Sequence, residues 1–362
     1  MTSTAPLLSD LFDPALLRTA IERGLVREQA HPELPLRILN YTDKAQAEQA
    51  WDEATLTCRG LVVDDGGRVA ARPFRKFFNH GDPNAGPLDL SAKVTVLDKL
   101  DGSLGIAYPV PGGFALATRG SFTSEQARHG TELLRTRHAG FVPPEGVTAL
   151  FEIVCPGTRN VCDYGETDDL FLLGGVRVAD GTVLAPAEIP GWEGPVAASF
   201  DLPTLADALA APPRPGAEGL VVRLTDSGRM LKIKQADYLA LHRVLSGLNA
   251  RVVWERLGAG RTVAGICEGL PDEFHGWVRD LAERLRAEAE RIEEGARREH
   301  GRILAGLPEG WGRSEYARAA AASPFRQWLF PLLDGRDPRP GIWRSLRPAG
   351  DERPVGLPGG DA

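Results

Sequence analysis

The sequence predicts an α+β protein, with a mixed or antiparallel sheet in its body and an all-α C-terminal part. Short apolar segments broken by Gly, Pro and Asp run from about residue 60 to 234, which is typical of strands. After residue 237 the pattern becomes helical, and residues 272–304 form a long, charged amphipathic stretch. We therefore expect one domain over 1–244, a helical domain over 245–347 and a disordered, Pro/Gly-rich tail over 348–362.

Residues 1–58 are predicted to be helix and loop, with helical periodicity near 15–23 and 43–54. Further helices are predicted at 123–137 and 203–210. The predicted strands are apolar, rich in β-branched residues and bounded by turn residues: 60–64, 94–98, 104–108, 148–154, 170–177, 219–224 and 229–234.

Composition excludes several classes of protein. The chain has 362 residues, 43% hydrophobic and 25% charged, as in a globular protein with room for two domains. It has no apolar run that could span a bilayer and no secretory signal at the N-terminus, so we expect a cytoplasmic protein without membrane binding. The four cysteines form no C-x-x-C pair, which argues against a zinc or redox motif.

The net charge and the scarcity of lysine narrow the set of candidate functional residues. The net charge is -7, and residues 245–362 hold 18 basic and 18 acidic side chains, so the negative excess lies in residues 1–244. A chain of this charge needs a local basic cleft to bind a polyanion. Of the 42 basic residues only six are lysine. Arginine stays protonated, whereas lysine can lose its proton and act as a nucleophile, so the lysines are candidates for chemistry.

The first candidate is Lys99-Leu100-Asp101-Gly102. A predicted strand ends at Lys99, a tight turn comes next, and a second strand leaves from it. Gly102 allows a ligand to approach the backbone closely. Taken alone, the segment equally fits an ordinary hairpin with an exposed lysine beside an Asp-Gly turn.

Lysines and acids on later strands are the next candidates. Lys232 and Lys234 share one face of a strand, as in a phosphate clamp or on the solvent side of an edge strand. Glu152 lies on an apolar strand, and Glu218 opens another. Carboxylates are common ligands of Mg²⁺, although a glutamate at a strand end can also simply meet solvent.

An upstream segment pairs cations with aromatic residues. Arg59 precedes a predicted strand, and Lys76 and Phe78 lie on one side of an extended segment. A cation beside an aromatic ring suits a nucleotide, since one group can contact phosphate and the other can stack on a base. The same pattern also occurs where a core aromatic pair is flanked by surface charge.

Together these motifs resemble the covalent nucleotidyltransferases, which include polynucleotide ligases and mRNA capping enzymes, and most closely the phage-type RNA ligase 1 family of ATP-dependent RNA ligases. The resemblance covers roughly residues 40 to 257. The matching stretches occur in a single order along the chain: Cys58–Leu61, Arg75–Asn79, Lys99–Leu104, Thr118–Ser121, Phe151–Val154, Glu218–Val222 and Leu231–Tyr238. The resemblance implies an ATP-grasp-like ligase (nucleotidyltransferase) fold, followed in this family by an unrelated helical domain.

The resemblance also implies a mechanism and roles for residues. Lys99 corresponds to the nucleophile that takes AMP from ATP. The AMP then passes to an RNA 5′-phosphate, which a 3′-hydroxyl attacks. The residues with implied roles are Lys99, Glu218, Lys232 and Lys234 in catalysis, Glu218 as ligand of Mg²⁺ or Mn²⁺, and Arg59, Lys76, Phe78, Leu100, Gly102, Arg119, Glu152 and Tyr238 at the nucleotide. At Arg119 the family pattern has lysine, which changes the geometry of a phosphate contact.

Other functions share parts of this pattern. A DNA ligase or capping enzyme would carry the same lysine motif but usually adds a small β-barrel after the second lysine strand, where this chain becomes helical. A non-catalytic RNA- or nucleotide-binding protein could retain the fold. No G-x-x-x-x-G-K-[ST] segment occurs, which excludes a P-loop ATPase. We expect RNA repair as the setting, with a functional link to an end-healing kinase or phosphatase, a monomeric state and a helical domain that helps select the RNA.

Overall fold

The computed structural model describes residues 5–156, 162–239, 247–268, 270, 274–349 and 352–353. Two compact units divide the chain, one within residues 1–242 and the other within residues 243–355. The predicted α+β class is confirmed, because the described strands lie in the first unit and the second unit's described elements are helices. Most of the predicted tail, beyond 348–349 and 352–353, lies outside the described residues.

The first unit contains fourteen described strands. They are β1 (Val26–Ala30), β2 (Leu36–Tyr41), β3 (Arg59–Asp64), β4 (Val69–Ala71), β5 (Phe78–Asn79), β6 (Val94–Lys99), β7 (Ser103–Val110), β8 (Gly113–Ala117), β9 (Val147–Val154), β10 (Asp169–Arg177), β11 (Val183–Leu184), β12 (Ser199–Phe200), β13 (Gly219–Leu224) and β14 (Met230–Lys234). Its helices are Leu8–Leu11, Pro14–Glu22, Asp43–Ala47, Glu53–Thr57, Glu125–Thr136 and Leu205–Ala210.

These strands form three sheets, in the orders β1-β2-β3-β4, β11-β10-β9-β7-β8 and β12-β6-β13-β14-β5. All strand pairs in them are antiparallel except β14 with β5, which is parallel. The predicted mixed or antiparallel sheet is therefore confirmed. The strands β6 and β7 belong to different sheets, so the chain crosses from one sheet to another at residues 100–102. The simple hairpin considered for this segment is ruled out.

Apolar side chains join the layers. The first two sheets face each other through residues such as Ile38, Val62, Ile106 and Leu150, each at most 1% exposed. The opposite face of the second sheet is covered by helix Glu125–Thr136. Helix Leu205–Ala210 covers one face of the third sheet. Burial on these faces is the main stabilising contribution and fixes the strand registers that position the candidate site.

The prediction of helix and loop for residues 1–58 was wrong in part, because β1 and β2 lie there. Only the first residue of β1 is buried, so this edge strand lacks the apolar alternation that marks most strands. The periodic stretch 43–54 is also two helices, Asp43–Ala47 and Glu53–Thr57. The break includes Gln49, whose φ of 52° is incompatible with a continuous helix.

In the second unit the described helices are Ala250–Gly258, Val263–Cys267, His275–Ala305, Arg313–Ala320, Arg326–Leu333 and Arg339–Ser345. The long helix buries one stripe, which includes Val278, Leu281, Leu285 and Ala296. The same helix carries arginine–glutamate pairs one turn apart, such as Arg297 with Glu293 at 2.9 Å. None of the helices in the described ranges is both long and apolar enough to cross a membrane.

Candidate active site

Three neighbouring strands bring two of the predicted lysines to one acid. Lys99 at the end of β6 is paired with Gly219 of β13, which is paired on its other side with Lys234 of β14. Glu218, just before β13, therefore lies between the lysines. Its Oε2 is 2.6 Å from Lys99 Nζ and its Oε1 is 2.8 Å from Lys234 Nζ. With its side chain 3% exposed, Glu218 is a buried carboxylate that holds two ammonium groups.

Glycine is required beside this acid. Gly219 has a φ of +154°, and a Cβ atom there would collide with the carbonyl oxygen of Ile233 on the neighbouring strand. Because β13 and β14 approach closely at this point, Glu218 is held between Lys99 and Lys234. A side chain at position 219 would force the two strands apart.

The turn after Lys99 connects this sheet to Glu152 in the second sheet. Glu152 lies on β9 opposite Leu104 of β7, and its Oε1 accepts a hydrogen bond of 3.0 Å from the Gly102 N–H. Burial raises the pKa of the Glu152 carboxyl from 4.5 to about 7, although the charge of Lys99 and the Gly102 N–H act in the opposite direction. Glu152 therefore titrates near neutral pH.

Asp101, in the same turn, is a buried hydrogen-bonding centre. Asp101 as a whole is 6% exposed. Its carboxylate accepts hydrogen bonds of 2.9 Å from both the Tyr238 hydroxyl and the Cys162 N–H. The Asp101 N–H donates to the Tyr164 hydroxyl oxygen at 2.8 Å. Burial raises the pKa of both tyrosine hydroxyls, so they remain protonated. These contacts hold the backbone immediately after Lys99 in one conformation.

Lys232, two residues before Lys234, lies on the same face of β14. Its Nζ is 4.7 Å from the centre of the Phe77 ring. Burial holds the pKa of Lys232 well below its usual value, and the charges of Arg59 and Lys99 lower this pKa further. An anion beside Lys232 would relieve this repulsion, so the surroundings favour binding of a phosphate.

A second group of cations surrounds Tyr41. Arg119 donates a 3.0 Å hydrogen bond to the Tyr41 hydroxyl, and Lys76 Nζ lies 3.5 Å from the same oxygen. Burial raises the pKa of Tyr41, but the combined charges of Arg119, Arg59 and Lys76 outweigh it and leave the pKa lowered. This concentration of positive charge around one hydroxyl suits the binding of a polyphosphate.

Aromatic rings enclose the lysine of this second group. Lys76 Nζ lies 5.0 Å from the Tyr41 ring centre, 4.9 Å from that of Trp51 and 5.5 Å from that of Phe78. Trp51 and Phe78 also meet edge to face, with ring centres 5.5 Å apart. Lys76 is thus held at the faces of three rings, where cation–π attraction stabilises its charge.

A family model described as RNA ligase matches residues 57–180. The match covers about a third of the chain and shows that residues 57–180 are similar to the RNA ligase family. The recognition made from the sequence motifs is thereby confirmed for this part of the chain. The matched RNA ligase segment contains Lys99, Glu152 and the cations Arg59, Lys76 and Arg119, but it ends before Glu218.

Individual relatives extend over limited parts of the chain. A curated protein of Thermovibrio ammonificans, whose name gives RNA ligase as a provisional assignment, is 36% identical over 113 residues, covering 29% of this chain and 30% of that protein. The chain thus spans less than a third of the length of this relative. Solved structures that match include a Naegleria gruberi RNA ligase mutant with AMP and Mn, at 19% identity and a TM-score of 0.34 over 42% of this chain and 53% of that one. The Naegleria gruberi RNA ligase with pyrophosphate matches at 18% identity and the same TM-score, over 42% and 52%. At these TM-scores, neither structural match supports an argument about fold or function.

The structure brings the predicted residues of the matched segment and of the later strands into the same unit. Two groups result, one around Glu218 with Lys99 and Lys234, the other around Tyr41 with Lys76 and Arg119. Glu152 and Tyr238 contact the Lys99 turn through Gly102 and Asp101. The remaining predicted residues also lie in this region, with Leu100 buried in the turn, Lys232 and Arg59 beside Phe77, and Phe78 beside Lys76.

Sequence reasoning missed four residues that organise the site: Tyr41, Trp51, Asp101 and Tyr164. Asp101 was recognised only as a turn residue, although an acid beside a candidate nucleophile is itself a signal. Tyr41 and Trp51 lie in the region predicted as helix and loop, where no pattern linked them to Lys76. Tyr164 meets Asp101 across 63 residues of sequence, a contact that no local pattern shows.

Replacement of Gly102 by alanine should disrupt the site. The new Cβ would collide with the carbonyl oxygen of Ile153 and lie 3.0 Å from Glu152 Cγ. We expect a loss of about 1–3 kcal/mol in the free energy of unfolding, the usual cost of overpacking. Urea denaturation measures this loss. The matched control is Gly140→Ala, where a Cβ meets open space; an equal loss in both variants would contradict the account.

Glu152→Gln should change how stability depends on pH. Between pH 4.5 and about 7, the native protein binds more protons at Glu152 than the unfolded chain does. The wild-type protein therefore loses stability as pH rises through this window, and the glutamine variant does not. We expect the melting temperature of the variant, relative to wild type, to be higher at pH 8 than at pH 5.5. A difference that stays constant across this range would show that the Glu152 pKa is not raised.

Proposed function

We propose that this protein is an ATP-dependent RNA ligase, which joins RNA 3′-hydroxyl and 5′-phosphate ends through AMP carried on Lys99. The observation that carries the proposal is the pairing of Lys99 and Lys234 with the buried Glu218 at one end of the third sheet. The match of residues 57–180 to the RNA ligase family supports it. The wider set of cations, Lys232, Arg59, Lys76 and Arg119, supplies the positive charge that ATP needs.

In the first step, Lys99 Nζ attacks the α-phosphorus of ATP. An N–P bond forms, the bond from the α-phosphorus to the bridging oxygen breaks, and pyrophosphate leaves. Nζ must lose a proton to do this, and Glu218 Oε2 at 2.6 Å is placed to accept it. Lys234, on the other carboxylate oxygen, stabilises Glu218 in position for this role.

The next two steps reuse the same groups. An oxygen of the RNA 5′-phosphate attacks the AMP phosphorus and releases Lys99, which regains its proton. The RNA 3′-hydroxyl then attacks the activated 5′-phosphate and releases AMP. Lys232 and Lys234 neutralise charge at phosphorus in each step, and the residues act mainly by positioning and electrostatics.

The phosphates leaving as pyrophosphate are assigned to the cations around Tyr41. The negative charge of a polyphosphate chain would be balanced by three cations, Arg59, Lys76 and Arg119. Arg119 takes the position of the family's lysine, and its hydrogen bond to Tyr41 orients its guanidinium group. Phe78 forms part of the nucleotide pocket through its contact with Lys76.

A divalent cation fits beside Glu218. Mg²⁺ and Mn²⁺ prefer oxygen ligands, and Glu218 offers a buried carboxylate with the charge of Glu152 close by. Both Glu218 oxygens contact ammonium groups, so an ion can join only when one of those lysine contacts opens. When bound, the ion neutralises charge on the phosphates.

Two alternatives predict different products. A DNA ligase or capping enzyme is disfavoured by the elements after β14, because those described from residue 247 to 349 are helices rather than a small β-barrel. A non-catalytic nucleotide-binding protein would not require Lys99 as a nucleophile. A sealing assay distinguishes both alternatives from an RNA ligase.

The test is a sealing assay with 5′-³²P single-stranded RNA, ATP and Mg²⁺, run beside matched DNA and the Lys99→Ala variant. We expect circular RNA from the wild-type protein, little product from DNA and none from the variant. DNA circles in equal yield would favour a DNA ligase. Absence of both circles and RNA-adenylate would contradict the sealing activity.

We also propose that the helical unit, residues 245–347, helps to select the RNA. Its long helix presents exposed Arg286 and Arg298, and residues 245–347 hold 17 basic and 15 acidic side chains, a small net charge of +2 that suits selective rather than strong binding. Exchange of both arginines for glutamate should leave adenylylation of Lys99 unchanged and alter the relative sealing of structured and unstructured RNAs. An unchanged preference would refute this role. The link to an end-healing kinase or phosphatase and the monomeric state stay predictions.

A further inference from the structure

Three side chains of metal-binding type meet outside the groups described above. His129 lies in helix Glu125–Thr136, Cys155 comes directly after β9, and Asp168 directly precedes β10. His129 Nε2 is 2.5 Å from Asp168 Oδ1, and one ligand atom of each of the three residues lies within 4.8 Å of the others. The three residues are separated in sequence and form no recognisable motif, so the sequence did not indicate this cluster.

These three ligand types suit zinc. Zn²⁺ accepts a thiolate, an imidazole nitrogen and a carboxylate oxygen in tetrahedral geometry, and sites with three protein ligands leave a fourth position for water. Ligand atoms in such a tetrahedron are about 3.5 Å apart, so the His129–Asp168 pair would open slightly to admit the ion. Mg²⁺ and Mn²⁺ prefer oxygen ligands, which separates this cluster from the cation site at Glu218.

We propose that His129, Cys155 and Asp168 form a Zn²⁺ site with one open coordination position. Neighbouring contacts already orient the aspartate. Arg137 donates a hydrogen bond to the backbone carbonyl of Asp168 and pairs with the carboxylate of the next residue, Asp169, at 3.3 Å. The Asp168 backbone is thereby held while its carboxylate points to His129.

The position of the site indicates its role. Cys155 and Asp168 mark the two ends of the segment that carries Cys162 and Tyr164, and both of these residues hydrogen-bond Asp101 beside Lys99. Bound Zn²⁺ fastens both ends of this segment to helix Glu125–Thr136. With water as its fourth ligand, the ion would stabilise the support of Asp101 without touching the reacting groups.

A plain histidine–aspartate pair is the competing explanation. His138 and Asp169 provide an example in the same region, with Nε2 and Oδ1 2.6 Å apart and the imidazole packed on Trp192. What distinguishes the His129 pair is the nearby cysteine sulfur, and the test therefore rests on Cys155.

The test is a titration of the EDTA-treated full-length protein with Co²⁺, a spectroscopic substitute for Zn²⁺. We expect one equivalent to produce a sulfur-to-cobalt charge-transfer band and the intense visible bands of four-coordinate Co²⁺. Cys155→Ser should abolish the charge-transfer band, and Cys267→Ser, at a cysteine in the other unit, should retain it. Competition with Zn²⁺ should bleach the wild-type spectrum.

Two further variants keep the test decisive if Cys155→Ser folds poorly. His129→Gln and Asp168→Asn change side chains that are 31% and 38% exposed, and each should weaken Zn²⁺ binding by ~10-fold or more. Absence of a stoichiometric Co²⁺ spectrum in wild type, or a charge-transfer band unaffected by Cys155→Ser, would overturn the site. Since neither ATP nor RNA is used, this result is independent of the proposed ligase activity.

Discussion

Lys99→Arg should abolish adenylylation while leaving the protein folded. The guanidinium group can keep the contact with Glu218, whose carboxylate is 2.6 Å from Lys99 Nζ, but it stays protonated and cannot attack phosphorus. We expect transfer of label from [α-³²P]ATP to the protein to fall by at least ~1,000-fold, as when a covalent nucleophile is removed. The measurement is label retained on the protein after denaturing electrophoresis.

The matched control for this variant is Lys93→Arg. Lys93 is exposed and lies immediately before β6, the strand that ends at Lys99. It should retain wild-type labelling. Labelling of the Lys99→Arg protein at more than a few per cent of the wild-type level would show that another residue carries the nucleotide.

Glu218→Gln should lower both stability and activity. The amide removes the one buried negative charge between Lys99 and Lys234 and leaves two ammonium groups facing each other across it. Because these lysines are 18% and 22% exposed, water offsets part of the loss, and we expect about 2–3 kcal/mol of lost unfolding free energy. Adenylylation should fall roughly 100-fold, the usual effect of removing a preorganised electrostatic group.

An exposed ion pair supplies the comparison for Glu218. Glu53 lies 2.8 Å from Arg75, with side chains 60% and 47% exposed. Glu53→Gln should cost less than about 1 kcal/mol, because surface pairs contribute little. Urea denaturation of both variants measures the two losses. Equal losses of unfolding free energy in the two variants would show that burial of Glu218 does not strengthen its ion pairs.

Local patterns were sufficient to predict the strands that carry the motifs. Strands β6, β9, β13 and β14 are short, apolar and bounded by turn residues, so composition and periodicity alone predicted their existence. The edge strand β1 lacks that pattern, because it is stabilised by pairing with β2 rather than by burial of its own side chains. Its existence depends on tertiary context that the local sequence does not contain.

Predicting the candidate site from the sequence had a similar limit. Residue types identified Lys99, Glu218 and Lys234 as candidates, but the ion pairs between them depend on the register of three strands. Lys99 and Glu218 are 119 residues apart in sequence. The sequence did not indicate Tyr41 or the His129 cluster for the same reason, because no motif links these residues to their partners.

In the proposed mechanism, Lys99 becomes covalently attached to AMP and passes it to RNA. Peptide mass spectrometry of the wild-type protein after incubation with ATP and Mg²⁺ tests it most directly. We predict one adenylate, located on the peptide that contains Lys99 and removed when 5′-phosphorylated RNA is added. An adenylate on a different residue, or one that persists after RNA is added, would contradict the account.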